Sequence, residues 1–219
     1  MRRVKLSGPE MKVFIIESSY PKDFYKHQLD GIAAQGILNI LGIRNELRFA
    51  LDREHFEKAI ADAKIQNCTV VHLSCHGDED GIALTNNYQP SWDKFADLFQ
   101  HHEWIPKALV MSACCGATSG IRDAFRNKPK KPGIIFGSSD GRSYGEYTVA
   151  WAMLYRRFKR DGINKDSAKL ALKEIHAVVS DKFLYRRWSA SRDSYVSYPG
   201  KGEKYAITNT KAARKRSPI

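Results

Sequence analysis

The chain has 219 residues, enough for one well-cored domain with an extension. Apolar residues make up 42% and aromatics 11%. That excludes wholesale disorder, and no apolar run nears the roughly 20 residues that a membrane-crossing helix needs. Lys and Arg outnumber Asp and Glu by 36 to 24, a net +12 that permits an anionic partner without selecting one.

In chain order, short dense apolar runs alternate with longer segments of helical period. The runs are Val13-Phe14-Ile15-Ile16, the weaker Glu46-Leu47-Arg48-Phe49-Ala50-Leu51, Val70-Val71-His72-Leu73, Leu109-Val110-Met111 and Gly133-Ile134-Ile135-Phe136. Solid β-branched runs predict strands covered on both faces, as in a parallel sheet. Between them, Leu29 to Ile40 carries a helical stripe, and Phe56, Ala59, Ile60 and Ala63 carry the next, entered through Asp52 as N-cap. Trp92, Phe95 and Phe99 mark a third helix. Tyr147, Ala150, Trp151, Leu154, Tyr155 and Phe158 mark a long fourth, which Gly162 stops. A fifth runs from Ala168 to Val179. Strands alternating with helices predict a three-layer α/β domain with a mainly parallel sheet.

The expected organisation is an N-terminal extension over residues 1–10, the α/β domain over 11–180, and a basic, aromatic C-terminal segment and tail over 181–219. Residues 180–219 hold ten Lys/Arg against three acids, so +7 of the +12 falls there. Tyr185, Trp188, Tyr195, Tyr198 and Tyr205 are interleaved with these charges. Tyr205-Ala206-Ile207-Thr208 reads as a further short strand, and 211–219 as a loose basic tail. The four cysteines do not form a disulfide framework, and Met1-Arg2-Arg3-Val4-Lys5 has no apolar stretch behind it. A reduced, cytoplasmic location is therefore expected.

In a parallel sheet, reactive groups collect beyond the carboxyl ends of the strands. Two strand ends carry them here: Ser74-Cys75-His76-Gly77 and Ser112-Ala113-Cys114-Cys115-Gly116. On neighbouring strands about 4.8 Å apart, an imidazole and a thiol at matching ends come within reach of each other. The imidazole takes the thiol proton, the thiolate attacks a carbonyl, and the imidazolium protonates the leaving amine.

An apolar strand ending in His-Gly, followed by a second ending in Ala-Cys-x-Gly, resembles the caspase-like cysteine peptidases. The His76-to-Cys114 separation of 38 residues is shorter than the roughly 50 of caspases. The pattern is closer to the CHAT type. There a Gly-Ile-x-Leu strand (Gly81 to Leu84), a helix opening with Trp (Trp92) and a strand ending Gly-Ser (Gly137-Ser138) follow in order. The resemblance runs from Lys12 to Val179. It implies a caspase-like fold and a thiol protease, with Cys114 as nucleophile, His76 as general base and the backbone N–H groups of Gly77 and Cys114 as oxyanion hole. It implies no third catalytic side chain, no metal and no cofactor.

By the same resemblance the strand from Ile134 to Ser139 edges the substrate channel, with Ser138 and Ser139 beside the pocket. Asp140, with Glu146 as a second candidate, would then select Lys or Arg at P1. Arg142 stands close enough to neutralise that acid. The expected partners are a protein substrate, cut at one or a few sites by a regulated effector, and an activating or inhibitory protein. Arg186-Arg187 and Arg214-Lys215-Arg216 offer basic sites for self-cleavage. Two other readings stand beside this one. One is a nucleic-acid-binding module using the C-terminal segment, although no known nucleic-acid motif accompanies it. The other is a caspase-like scaffold without catalysis. A zinc site from Cys75, His76, Cys114 and Cys115 lacks the C-x₂₋₄-C spacing.

Overall fold

The computed structural model describes residues 10–200. Its centre is a sheet with strand order β2-β1-β3-β5-β6-β7-β8 and a short β4 set against β3. The strands are β1 (Lys12–Ser18), β2 (Arg44–Phe49), β3 (Val70–Gly77), β4 (Ile82–Ala83), β5 (Ala108–Ser112), β6 (Ile134–Ser138), β7 (Phe183–Ser189) and β8 (Ser194–Tyr198). The pairs from β2 to β6 along this order are parallel; β7 is antiparallel to β6 and to β8. The fold is therefore the expected α/β one, with a mostly parallel central sheet flanked by helices.

The helices are α1 (Pro21–Tyr25), α2 (Asp30–Ile40), α3 (Arg53–Ile65), α4 (Trp92–His101), α5 (Ser119–Arg126), α6 (Tyr144–Asp161) and α7 (Lys165–Val178). Successive strand residues face opposite layers. Phe14 and Ile16 of β1 pack with Phe56, Phe95, Phe99 and Phe125 from α3, α4 and α5. Val13 and Ile15 pack instead with Leu38, Trp151, Leu154, Tyr155 and Leu172 from α2, α6 and α7. This two-sided cover is why the strands read as solid apolar runs. Helix starts follow the chain chemistry as well. Asp52 accepts from the His55 N–H at 2.9 Å, and Ser143 with Glu146 forms a capping box that opens α6.

The C-terminal segment departs from its expected role. Residues 183–198 form β7 and β8 and complete the sheet. Tyr185 and Tyr195 are buried, Tyr185 stacks on Tyr198 at 5.0 Å between centroids, and Trp188 meets Tyr195 edge-on at 5.1 Å. These aromatics are cross-strand packing pairs. Arg186 is only 6% exposed. It donates to the Ala117 carbonyl and the Ser197 hydroxyl, and burial pulls its guanidinium down to about 10. A residue held between β6 and β8 cannot enter a protease cleft, so Arg186-Arg187 is no self-cleavage site in the folded chain. The Tyr205–Thr208 strand, the basic tail and most of the N-terminal extension lie outside the described residues. Among the described residues no helix is long and apolar enough to cross a membrane.

Candidate active site

β3 and β5 are adjacent and parallel, with Ser74 opposite Ser112 as the last matched pair. His76 and Cys114 each lie two residues beyond that pair, so the two strand ends arrive level. Their backbones touch: a Cβ added at Gly77 would stand 2.8 Å from the Cys114 carbonyl oxygen. Only a residue without a side chain fits there.

The turn after β5 fixes Cys114. The Gly116 N–H donates to the Ala113 carbonyl at 3.1 Å, and the Ala117 N–H reaches across to the Ser138 carbonyl at 2.9 Å. Between these anchors Cys115 takes φ = 59°, a left-handed conformation that L-residues with a side chain rarely adopt. The Thr118 hydroxyl and N–H both hold the Cys115 carbonyl, at 2.9 and 3.1 Å, and α5 starts with the next residue. A Cβ at Gly141 would lie 3.6 Å from Cys114 Sγ, so the loop after β6 closes over the thiol.

Two side chains meet His76, and a third braces one of them. Tyr20 stacks on its ring at 4.2 Å between centroids, with 17° between planes. Asp23, 3% exposed, places Oδ2 at 2.7 Å from His76 Nε2. The same Oδ2 accepts the Tyr20 N–H at 3.1 Å, and the Tyr144 hydroxyl also bonds Asp23. Burial and the Asp23 charge push the Tyr144 phenol well above its ordinary range, so it stays a donor. The sequence reading missed Asp23. Its local signal was Tyr20-Pro21-Lys22-Asp23, a helix start with Pro at N1 and an acid at N3. α1 is five residues long and too short to show a period.

Beneath the strand ends lies a buried polar layer. Glu17, fully buried, accepts the Gly31 N–H at 2.6 Å and hydroxyls from Ser19 and, at 3.2 Å, Ser74. Burial outweighs these bonds, and with the neighbouring Asp30 charge it raises the Glu17 carboxyl to about 7. His72 meets the Tyr155 hydroxyl at 2.7 Å and Asp30 Oδ2 at 3.6 Å, while Ser112 accepts from Trp151 Nε1 at 2.9 Å.

The expected specificity residues all lie in and around the loop after β6. Arg142 pairs with Asp140 at 2.9 Å and Glu146 at 3.1 Å, so one guanidinium is shared between both candidate acids. Ser138 is fully buried, bonded to the Tyr147 hydroxyl at 2.7 Å and the Asp140 carbonyl at 2.8 Å, and it shapes the loop. Ser139 is taken up by the Lys182 carbonyl, which its N–H reaches at 2.8 Å and its hydroxyl at 3.0 Å. A cavity of about 370 Å³ opens beside His76. Tyr20, Gly77, Asp78, Asp80, Ile82 and Pro90 are among its walls; Cys114 is not. Asp78 turns that loop by accepting the Asp80 and Gly81 N–H groups at 2.8 and 3.0 Å. Cys75 and Cys115 are free thiols. Burial pushes Cys75 well up, and Cys115 is raised by burial, Cys114 and the charges of Glu79, Asp140 and Asp78. Among the described residues no three His, Cys, Asp or Glu side chains gather closely enough to hold a metal ion.

No protein-family model matches the chain, and no curated protein matches it. Solved structures do, among them three of cysteine proteases with the caspase-like fold. The secreted C11 cysteine protease iotapain of Bacteroides thetaiotaomicron superposes over 84% of this chain and 67% of its own, with TM-score 0.54 and 11% identity. RgpB of Porphyromonas gingivalis, in a complex of its pro- and mature domains, is covered over 44% of its length by 78% of this chain, with TM-score 0.52 and 11% identity. The Arg-specific proteinase gingipain R is covered over 41% by 75% of this chain, with TM-score 0.52 and 10% identity. The chain has the caspase-like fold, and it spans less than half of either gingipain structure.

Proposed function

We propose that the protein is a caspase-like cysteine endopeptidase with Cys114 as nucleophile and His76 as general base. One observation carries the reading: a thiol and an imidazole stand two residues past a matched pair on adjacent parallel strands, with a buried carboxylate bonded to the imidazole. Asp23 accepts a hydrogen bond from Nε2–H, which keeps that proton on the ring and leaves Nδ1 as the nitrogen that receives the thiol proton. Cys114 Sγ then attacks the scissile carbonyl. His76 returns the proton to the leaving amine, and water hydrolyses the thioester. Backbone N–H groups of Gly77 and Cys114 face the developing oxyanion in this reading.

The finer CHAT-type assignment rests on motif order, from His76-Gly77 through Trp92 and Ala113-Cys114 to Gly137-Ser138. A basic P1 residue is supported by charge. Asp140 and Glu146 together carry one more negative charge than Arg142 neutralises, and Asp78, Glu79 and Asp80 flank His76. The neighbour described as Arg-specific is consistent with this preference. Fluorogenic peptides scanned at P1 test both parts. Hydrolysis of Arg or Lys substrates that is lost in Cys114→Ala supports the reading; preference for P1 Asp or Leu removes the specificity, and undiminished hydrolysis by Cys114→Ala removes the mechanism.

A further inference from the structure

We infer that the cavity beside His76 is the subsite for P1′, the residue on the leaving-group side of the cut bond, and that it takes a Lys or Arg there through Asp80. The inference rests on the protease reading above and adds a second specificity position to it.

The chemistry of the cut places that residue. Cys114 Sγ bonds to the scissile carbonyl carbon, the C–N bond breaks, and the amine leaves with the proton that His76 took from the thiol. The nitrogen that His76 protonates is the P1′ nitrogen, brought to about 3 Å from the imidazole for the transfer. The P1′ Cα is one bond, about 1.5 Å, beyond it. The P1′ side chain therefore starts beside His76, while the P1 residue is held on Cys114. The cavity matches this division. His76 and Gly77 are in its wall, and Cys114 is not. Cys114 Sγ faces instead the loop after β6, where a Cβ at Gly141 would lie 3.6 Å from it.

The wall opposite Tyr20 is built in advance. The Asp78 N–H donates to the Gly81 carbonyl at 3.0 Å, the Ile82 N–H to the Pro90 carbonyl at 3.2 Å, and the Trp92 N–H to the Asp80 carbonyl at 3.0 Å. A Cβ at Gly81 would collide with the Pro90 carbonyl, and Trp92 Nε1 donates to the Glu79 carbonyl at 2.9 Å. A segment held this way loses little freedom when a side chain enters beside it.

The lining suits a side chain with an apolar stem and a cationic head. Tyr20, Ile82, Ala83 and Pro90 supply apolar surface, and Asp78 and Asp80 supply two carboxylates. Asp78 Oδ1 is engaged by the Asp80 and Gly81 N–H groups. Asp80 is exposed, and among the described residues it has no ion pair. Lys22, 5.6 Å from the Tyr20 ring centroid, offsets one of the two negative charges and leaves the other for an incoming head. About 370 Å³ is room for either Lys or Arg.

The test is a P1′ scan in internally quenched peptides that keep the P1 residue preferred in the P1 scan and carry Lys, Arg, Leu, Gly or Glu at P1′. A methyl ester of the same P1 residue, which has no P1′ side chain, is assayed in parallel. The expected result is a kcat/KM about fivefold higher for P1′ Lys or Arg than for Leu, with a larger ratio at low salt than at high. Glu should be the poorest of the five. Asp80→Asn should bring the Lys-to-Leu ratio within about twofold of one. Gln89→Trp, which adds bulk to the exposed rim of the cavity, should slow P1′ Lys and Arg peptides more than the P1′ Gly peptide. A wild type that hydrolyses the ester but treats P1′ Lys, Leu and Glu alike would overturn this inference and leave the protease reading standing. So would a Lys-to-Leu ratio unmoved by Asp80→Asn. A wild type that hydrolyses neither the ester nor any peptide would overturn both.

Discussion

Asp23 and His76 lie 53 positions apart in sequence, and Asp23 Oδ2 stands 2.7 Å from His76 Nε2. The bond sets the imidazole's orientation and its tautomer, with Tyr20 stacked on one face of the ring. In the proposed mechanism Asp23 acts through His76 and is a positioning residue. Asp23→Asn should lower kcat by about 10- to 100-fold, a modest part of the range for general acid–base assistance, with KM changed less than twofold. Steady-state kinetics on a P1-Arg peptide checks this; a change in KM with kcat intact would assign Asp23 to substrate binding instead.

Glu17 links the site to stability. Its carboxyl is raised from an ordinary 4.5 to about 7, so the folded chain holds a proton that the unfolded chain releases. Stability is then greatest below pH 4.5 with respect to this group and falls as pH rises toward 7, by on the order of 3 kcal/mol. Glu17→Gln removes the charge. Its amide oxygen can accept the Gly31 N–H, and its NH₂ can face the Ser19 and Ser74 hydroxyls. The variant should melt higher than wild type at pH 8 and close to it at pH 5. Calorimetry at both values decides; equal differences at the two would exclude ionisation as the cause.

Arg142 pairs with both Asp140 and Glu146 in the loop after β6 and the start of α6. Arg142→Gln should release them and raise kcat/KM for P1-Arg over P1-Leu peptides by a few-fold, about one charge-assisted contact, more at low salt than at high. A lower ratio would mean that Arg142 itself contacts substrate.

Cys115 pays for its left-handed turn. Cys115→Gly should be neutral or stabilise by up to about 1 kcal/mol with activity retained, whereas Cys115→Val should destabilise by about 1–2 kcal/mol. Urea titrations of the two variants check the order.

Much of the fold was legible because of two-sided burial. Val13 to Ile16 have no polar face, so β1 could be read without its neighbours, and the stripe from Tyr147 to Phe158 is the buried side of α6. β7 was not legible. Phe183 to Ser189 mixes two arginines with aromatics, and only the structure shows that Arg186 finds the Ala117 carbonyl and Ser197. At the site, His76, Gly77 and Cys114 could be found because reactive residues at strand ends are few. Asp23 is one carboxylate among 24 acids, and its meaning arises only when α1 folds over the end of β3. Asp140 was legible as an acid with Arg142 close enough to neutralise it, but that the same guanidinium also takes Glu146 depends on how the loop leads into α6.

The central claim is that Cys114 is the nucleophile and His76 its base. An acyloxymethyl-ketone probe, with the labelled peptide mapped by mass spectrometry, tests it in wild type, Cys114→Ala, Cys115→Ala and His76→Ala. The account predicts labelling on Cys114, undiminished by Cys115→Ala, strongly slowed by His76→Ala and absent in Cys114→Ala. Label on Cys115, or no label on the folded wild type, would contradict it.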